Sequence, residues 1–454
     1  MTNQRFKVFG RKDLASMREL ARFSEQDRFA MDIVARVFPF RVNQYVLDSL
    51  IDWANAPDDP MFRLLFPHRD MLSNADFEKL SVAVRAGISD DILSKIAREI
   101  QLEHNPHPAG QKTMNVPQIG EDELAGVQHK YRETVLFFPT QGQTCHSYCS
   151  YCFRWPQFVG LDDMKFASKE VDSLVGYLRT HSDVTNVLIT GGDPMVMRTK
   201  VLERYITPLV DAGLPHLSSI RIGTKSTAFW PQRFVTDSDA DDLLRLFESV
   251  VAKGYHLALM AHFSHPVELE SPIAQRAIAR IRSTGAVVRC QAPLVRHVND
   301  SALAWAEMWR LQAQLGAVPY YMFVERNTGP RRYFDTPLSN AYEIYREAIS
   351  RVSGLARTAR GPSMSATPGK IAIDGTPTIR GERVFALRLL QARDPSWVGR
   401  PFFAQFDAKS TWFDELVPAF GEERFFFDNA AAEAPWARPP LTRRHLRVHS
   451  GEAA

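Results

Sequence analysis

Cysteine is scarce in this chain, with four in 454 residues. So few thiols exclude a disulfide framework and point to a reducing, cytoplasmic setting. Long apolar runs are missing as well: no stretch approaches the roughly 20 uninterrupted apolar residues that span a bilayer, so no membrane partner is expected. The segment Met1 to Arg22 mixes charges among its apolar side chains, which argues against a signal peptide. Charge of either sign is barely in excess, 55 Lys+Arg against 52 Asp+Glu for a net of +3, so no nucleic-acid partner is expected. With 45% hydrophobic and 24% charged residues, the composition is that of an ordinary globular protein able to bury a large core.

What the chain does have is a concentration of its few thiols. Cys145-His-Ser-Tyr-Cys149-Ser-Tyr-Cys152 places three of the four cysteines within eight residues, directly after the apolar run Val135 to Phe138. Three thiolates can hold an iron–sulfur cluster and leave one iron without a protein ligand. A closed structural zinc site wants four ligands. Cys290 is remote in sequence, and His146, next to Cys145, would have to fold back sharply to serve. An open-site [4Fe-4S] cluster is therefore favoured over zinc and over unliganded core cysteines.

Residues 1–125 read as a helical N-terminal region, with periodic stretches at Asp13 to Ala21, Gln44 to Ala54 and Phe77 to Ile100 and no motif that carries chemistry. From Val135 onward, short apolar runs alternate with amphipathic segments. The runs are Val135 to Pro139, Asn186 to Thr190, Ser219 to Gly223, His256 to His262, Val287 to Leu294 and Pro319 to Val324. The amphipathic segments are Ser168 to Thr180, Lys200 to Ala212, Ala240 to Lys253, Pro272 to Ser283, Ala302 to Leu315 and Asn340 to Val352. Six strand–helix units in series predict an α/β fold with a parallel sheet, open or barrel-like, over residues 126–355. Residues 355–376, rich in Gly, Pro and Ser, read as a loop. A C-terminal loop and capping segment is expected over 356–435, and 436–454, with Arg443, Arg444 and Arg447, as a mobile tail.

In parallel α/β folds the working residues gather at the C-terminal ends of the strands. Those positions hold the cysteine cluster, Gly191-Gly192-Asp193-Pro194, Thr224 and Lys225, His262 and His265, Gln291, and Glu325 with Arg326. Six consecutive strands delivering polar or glycine-rich residues to one mouth favour an active site there.

The C-x-x-x-C-x-x-C spacing, with Tyr151 before the third cysteine, resembles the signature of the radical S-adenosylmethionine superfamily. Further segments are similar, in the same order, to the lysine 2,3-aminomutase family. These are Cys149-Ser-Tyr-Cys152-Phe-Arg154, Leu188-Ile-Thr-Gly-Gly-Asp193, Arg221-Ile-Gly-Thr, Pro231-Gln-Arg233, His262-Phe-Ser-His-Pro266, Gln291 to Asp300, and Pro319-Tyr-Tyr321 to Pro337.

The resemblance implies a partial (β/α)6 barrel. It also implies a reaction in which a 5′-deoxyadenosyl radical removes hydrogen from an amino acid carried on pyridoxal 5′-phosphate, whose amino group then moves between C2 and C3. Cys145, Cys149 and Cys152 would hold the cluster, while Gly191, Gly192, Asp193, His262 and Gln291 would bind S-adenosylmethionine. Lys130 and Tyr131 fall where the family contacts pyridoxal phosphate, Lys370 takes the place of the Schiff-base lysine, and Arg154 that of the arginine on the substrate carboxylate. The chain departs from the family at Pro368-Gly369-Lys370, where a run of glycines is usual, and at Thr134, in place of a second basic residue. It departs again at Arg326 and Ala366, where lysine-specific enzymes carry two aspartates. A cation at 326 implies a substrate whose distal group is anionic or neutral, such as glutamate. The zinc-binding cysteines of some members are missing, so no zinc is expected. An electron donor such as flavodoxin or ferredoxin is implied, and a homo-oligomer is compatible. Two alternatives stay open: a radical epimerase or dehydrogenase without pyridoxal phosphate, and a cluster-binding protein without turnover.

Overall fold

Apolar runs bounded by Gly, Asn and Pro become strands from residue 127 onward, and the amphipathic stretches between them become helices. The computed structural model describes residues 6–105, 115–119, 122–160 and 166–428. Its main sheet has 12 strands. An edge strand β1 (Val127–Tyr131) runs antiparallel to β2 (Thr134–Phe137). From β2 the sheet continues in chain order through β3 (Asn186–Ile189), β4 (Ser219–Thr224), β5 (His256–His262), β6 (Val287–Leu294), β7 (Val318–Val324) and β8 (Arg360–Ser365), each parallel to the last.

Six helices lie on the connections: α1 (Val171–Thr180), α2 (Thr199–Asp211), α3 (Ala240–Ala252), α4 (Pro272–Ser283), α5 (Ala302–Gln314) and α6 (Leu338–Ser350). Strand order that never reverses, with a helix after each of six strands, is the partial (β/α)6 barrel expected from the sequence. Sequence and structure agree on these elements to within about three residues, as assignments of helix ends do.

Alternation along the strands builds two faces. Ile220 and Ile222 of β4 and Val288, Cys290, Ala292 and Leu294 of β6 are buried. Their neighbours Ser219, Arg221, Gly223, Val287, Arg289 and Gln291 are half-buried and form the inner face. The outer face packs on residues such as Leu202, Ile206 and Leu209 of α2, all fully buried. Truncating any of these to alanine costs about 2–5 kcal/mol.

Helices Glu25–Val37, Gln44–Ser49, Pro60–Leu65, Asn74–Arg85 and Asp90–Glu103 make up most of the N-terminal region, which shares one apolar cluster with the barrel. The stretch Phe77 to Ile100 is two helices rather than one, broken at Gly87 with φ +68°. Asp13 to Ala21 forms two 3-10 turns.

The largest correction concerns residues 355–376, which form strands rather than a loop. β8 pairs with β7, and β9 (Gly369–Gly375) turns back antiparallel to β8 and to β10 (Glu382–Ala392), which also pairs with β11 (Pro401–Gln405). The glycines misread as loop punctuation are places where strands touch. A Cβ on Gly361 would sit 2.2 Å from the Met322 carbonyl, and one on Gly369 would sit 2.2 Å from the Gln391 carbonyl. This C-terminal ribbon has its own apolar cluster, including Met364, Phe385, Trp397, Phe402 and Trp412. The tail 436–454 lies outside the described residues. Among the described residues no helix is long and apolar enough to cross a membrane.

Candidate active site

Cys145, Cys149 and Cys152 lie on the loop that leaves β2, at the C-terminal mouth of the barrel. All three are free and half-buried, while Cys290 is buried on the outer face of β6. Burial raises the three thiols: Cys145 lies well above the ordinary range under burial, Asp193 and both companions, Cys149 is pushed up to about 12 with Cys152 contributing, and Cys152 is raised by burial against the pull of Arg154. Thiols held neutral by burial give up their protons when a metal binds. Among the described residues no three His, Cys, Asp or Glu side chains converge as ligands of one ion would. A four-iron cluster asks for one thiolate on each of three irons, which these thiols can supply, and no further free thiol lies on the loop. His146 turns away to Ser226 Oγ at 2.9 Å and stacks on Trp230.

The N-terminal region clamps this loop. Tyr148 N donates to Arg41 O and Ser150 N to Leu64 O, both at 2.9 Å. Asn43 Nδ2 donates to Ser147 Oγ at 3.0 Å and to Phe229 O at 2.8 Å. A region without a chemical motif thus holds the loop that carries the thiols.

Gly191 and Gly192 back directly onto the same loop. A Cβ on Gly192 would lie 2.4–2.6 Å from Thr144 backbone atoms, and one on Gly191 would meet Gln143 Nε2 at 2.5 Å. Asp193 N donates to Thr144 O at 2.7 Å. The Asp193 carboxylate, 2% exposed, accepts from Met195 N, Thr224 Oγ1, Lys225 N and Ser226 Oγ at 2.8–3.0 Å. Its lone pairs tie the ends of β3 and β4 to the cysteine loop, a scaffolding role not anticipated from the sequence.

His262, ending β5, pairs through Nε2 with the Tyr151 hydroxyl at 2.7 Å. Tyr151 also meets Ser264 Oγ at 3.1 Å, Lys225 Nζ donates to Ser264 Oγ at 3.0 Å, and Lys225 pairs with Glu268 at 2.8 Å. Glu268 is fully buried. Burial holds His262 well below its ordinary value, and Lys225 adds to this, so the ring is neutral. Gln291 lies beside it on the inner face, paired in register with His262.

Of two cationic side chains, one lies beside the cysteine loop and one just past the end of β7. Arg154 lies 4.4 Å over Phe138 and 5.0 Å over Phe153, and Arg326 lies 5.3 Å from the same Phe153 ring and 5.9 Å from Trp412. Burial lowers both guanidiniums to about 10, and they repel one another. Arg326 Nε and Nη2 are buried without hydrogen-bond partners among the described residues, and Tyr131, then Asp414, act on it only through space. Glu325 instead lies in the field of Asp335, Arg331 and Arg296, and burial raises its carboxyl well above the ordinary range.

Lys370 sits on β9, its Nζ 4.0 Å over Tyr321 and 5.3 Å over Phe323. Burial draws its pKa down to about 7, helped by Arg221 and Arg360. Lys130 on β1 donates to the Ala366 carbonyl, and Arg393, missed in the sequence, donates through Nε to the next carbonyl, Thr367, at 2.8 Å. Arg393 Nη1 is buried without a partner among the described residues. Tyr131 lies within the field of both Arg393 and Arg326. Lys130, Tyr131, Arg326 and Lys370 are thus brought together, and the closure of β1 against the β8–β9 turn brings them there. Burial, then Arg393 and Arg326, also draws Lys130 well below the ordinary lysine range. An amine poised near neutrality beside the Arg326 guanidinium and an orphaned Arg393 N–H suits an aldehyde that bears a phosphate.

No family model matches the chain. A putative L-lysine 2,3-aminomutase of Aquifex aeolicus is 29% identical over 411 residues, 90% of this chain and 96% of that protein. The L-lysine 2,3-aminomutase of Bacillus subtilis is 29% identical over 242 residues, 52% of this chain and 48% of its own length. The glutamate 2,3-aminomutase of Clostridioides difficile is 24% identical over 212 residues, 47% of each.

Proposed function

We propose that this chain, a relative of the lysine 2,3-aminomutases of the radical S-adenosylmethionine superfamily, is an aminomutase-like isomerase acting on an α-amino acid with a distal carboxylate, such as glutamate. The observation that carries this reading is the pair of guanidiniums, Arg154 and Arg326, both within 5.0–5.3 Å of the Phe153 ring, with no carboxylate among the described residues in ion-pair reach of Arg326. A buried guanidinium with unused N–H groups, such as Arg326, awaits an anion. Arg154 would take the α-carboxylate in a bidentate fork and Arg326 the distal one. A lysine side chain would set ammonium against guanidinium at Arg326, which disfavours it by like-charge repulsion.

When bound, an open [4Fe-4S] cluster with S-adenosylmethionine supplies a carbon-centred radical, and pyridoxal phosphate supplies a conjugated ring that stabilises an unpaired electron. Cys145, Cys149 and Cys152 would hold the cluster, with Gly191, Gly192, His262 and Gln291 beside S-adenosylmethionine, and Asp193 bracing the glycines. Lys130, Tyr131 and Lys370 would hold pyridoxal phosphate, Lys370 giving up its proton near neutral pH to act as a nucleophile. Phe138, Phe153 and Trp412 exclude water around the two arginines. In this reading residues 126–355 carry the radical chemistry, 356–435 supply the cofactor lysine, and a small reductant such as ferredoxin or flavodoxin feeds the cluster.

The test is anaerobic reconstitution followed by incubation with a panel of side-chain-deuterated amino acids. Deuterium should appear in 5′-deoxyadenosine with glutamate and not with lysine. A reduced, iron-loaded protein that cleaves no S-adenosylmethionine with any amino acid would instead be a cluster-binding protein without turnover.

A further inference from the structure

At the end of the barrel opposite the cysteine loop, the starts of the strands ring a second cavity of about 520 Å³. Asn186 opens β3, Ser219 β4, His256 β5, Val318 β7 and Arg360 β8, and all of them line it. Arg221 and Arg289 reach it from the inner faces of β4 and β6. Three guanidiniums therefore meet at the barrel floor. Arg289 and Arg360 lie 5.3 and 4.4 Å from the Tyr320 ring, and Arg360 lies 4.2 Å from Tyr321.

No carboxylate lines this cavity among the described residues. The groups that act on Arg221 are burial first, then Tyr320, Tyr321, Arg289 and Arg360. Its Nη2 donates to Asn186 Oδ1 at 2.5 Å, and its Nε is buried with no partner among the described residues. Stacking on tyrosine satisfies the faces of the guanidiniums and leaves edge N–H groups unused. Three like charges in a partly desolvated space repel one another, and an arrangement of this kind is stabilised by an anion that neutralises it. Planar forks converging from three strands match the oxygens of a phosphate better than those of a single carboxylate. The volume lies in the range of small-molecule sites.

We propose that the barrel floor is a binding site for a small multivalent phosphate anion, held by Arg221, Arg289 and Arg360. It opens at the strand starts, with the Tyr321 ring touching both Arg360 and Lys370, and the proposal stands whether or not the chain is an aminomutase.

The test titrates inorganic pyrophosphate into the purified full-length chain by calorimetry, at low salt and at physiological salt. One saturable site is expected, weakened at least tenfold by Arg289→Gln, lost in Arg289→Gln/Arg360→Gln, and unchanged by Lys130→Gln at the mouth. Citrate should bind at least tenfold more weakly. In the wild type, pyrophosphate should also protect Arg289 and Arg360 from phenylglyoxal, a readout that does not depend on any variant folding. Absence of saturable binding, or citrate binding as tightly, overturns the proposal. So does binding that survives Arg289→Gln but disappears in Lys130→Gln, which puts the anion at the mouth. So does a lack of protection at both arginines.

Discussion

Raising the pH from 6 to 8 should convert Lys370 from an ammonium to a free amine. Its pKa is drawn down to about 7, chiefly by burial and then by Arg221 and Arg360. Roughly half of it is then free amine at pH 7, whereas an ordinary lysine near pKa 10.4 offers roughly one part in 2,500. The charged form is the one disfavoured, so the proton leaves as pH rises through the lowered value and reactivity grows in the same direction. The assay mixes the apo chain with pyridoxal phosphate at each pH, reduces with borohydride, and quantifies the labelled peptide by mass spectrometry. Label on Lys370 should rise about tenfold between pH 6 and 8 and then level off, as expected for a group half-titrated near 7. Arg360→Gln removes one of the repelling charges and should move the midpoint upward. A labelling curve still climbing between pH 9 and 10 would refute the lowered pKa, and label confined to other lysines would refute the role of Lys370.

Three other perturbations have defined outcomes. Cys145→Ser, Cys149→Ser and Cys152→Ser should each abolish the iron and sulfide that anaerobic reconstitution loads, while Cys290→Ser, buried on the outer face of β6, should load normally; equal loading in all four would remove the cluster assignment. Lys225→Met strands the fully buried Glu268 carboxylate and should destabilise the apo chain by about 3–5 kcal/mol in urea, with Lys225→Met/Glu268→Leu recovering most of it. A loss below about 1 kcal/mol would mean the pair is not desolvated. Gly192→Ala drives a methyl into Thr144 and should reduce cluster loading without changing the helical circular dichroism; normal loading would show that the cysteine loop does not rest on that glycine.

The strands and helices of the barrel could be read from the sequence because each is a short apolar run or an amphipathic stretch between clear turn signals. The positions at their C-terminal ends followed from the topology alone. Residues 355–376 could not be read in this way, since Gly361 and Gly369 mark close strand contacts and look like loop residues in isolation. The placement of Lys370 over Tyr321 depends on a sheet that turns back on itself, which no local pattern encodes. Asp193 was visible, but its load of hydrogen bonds from β4 was not, because those donors lie more than thirty residues away in sequence. Arg393 and the Lys225–Glu268 pair carry no local signal either, and only the packing reveals them.

The preference for glutamate over lysine, measured as the ratio of kcat/KM in the reconstituted wild type and in Arg326→Asp, tests the central claim most directly. The account predicts that the wild type favours glutamate and that the charge reversal inverts the preference, a swing on the order of 10²–10³ for a close pair of charges. A wild type that turns over lysine in preference to glutamate, or an Arg326→Asp variant with an unchanged ratio, would contradict it.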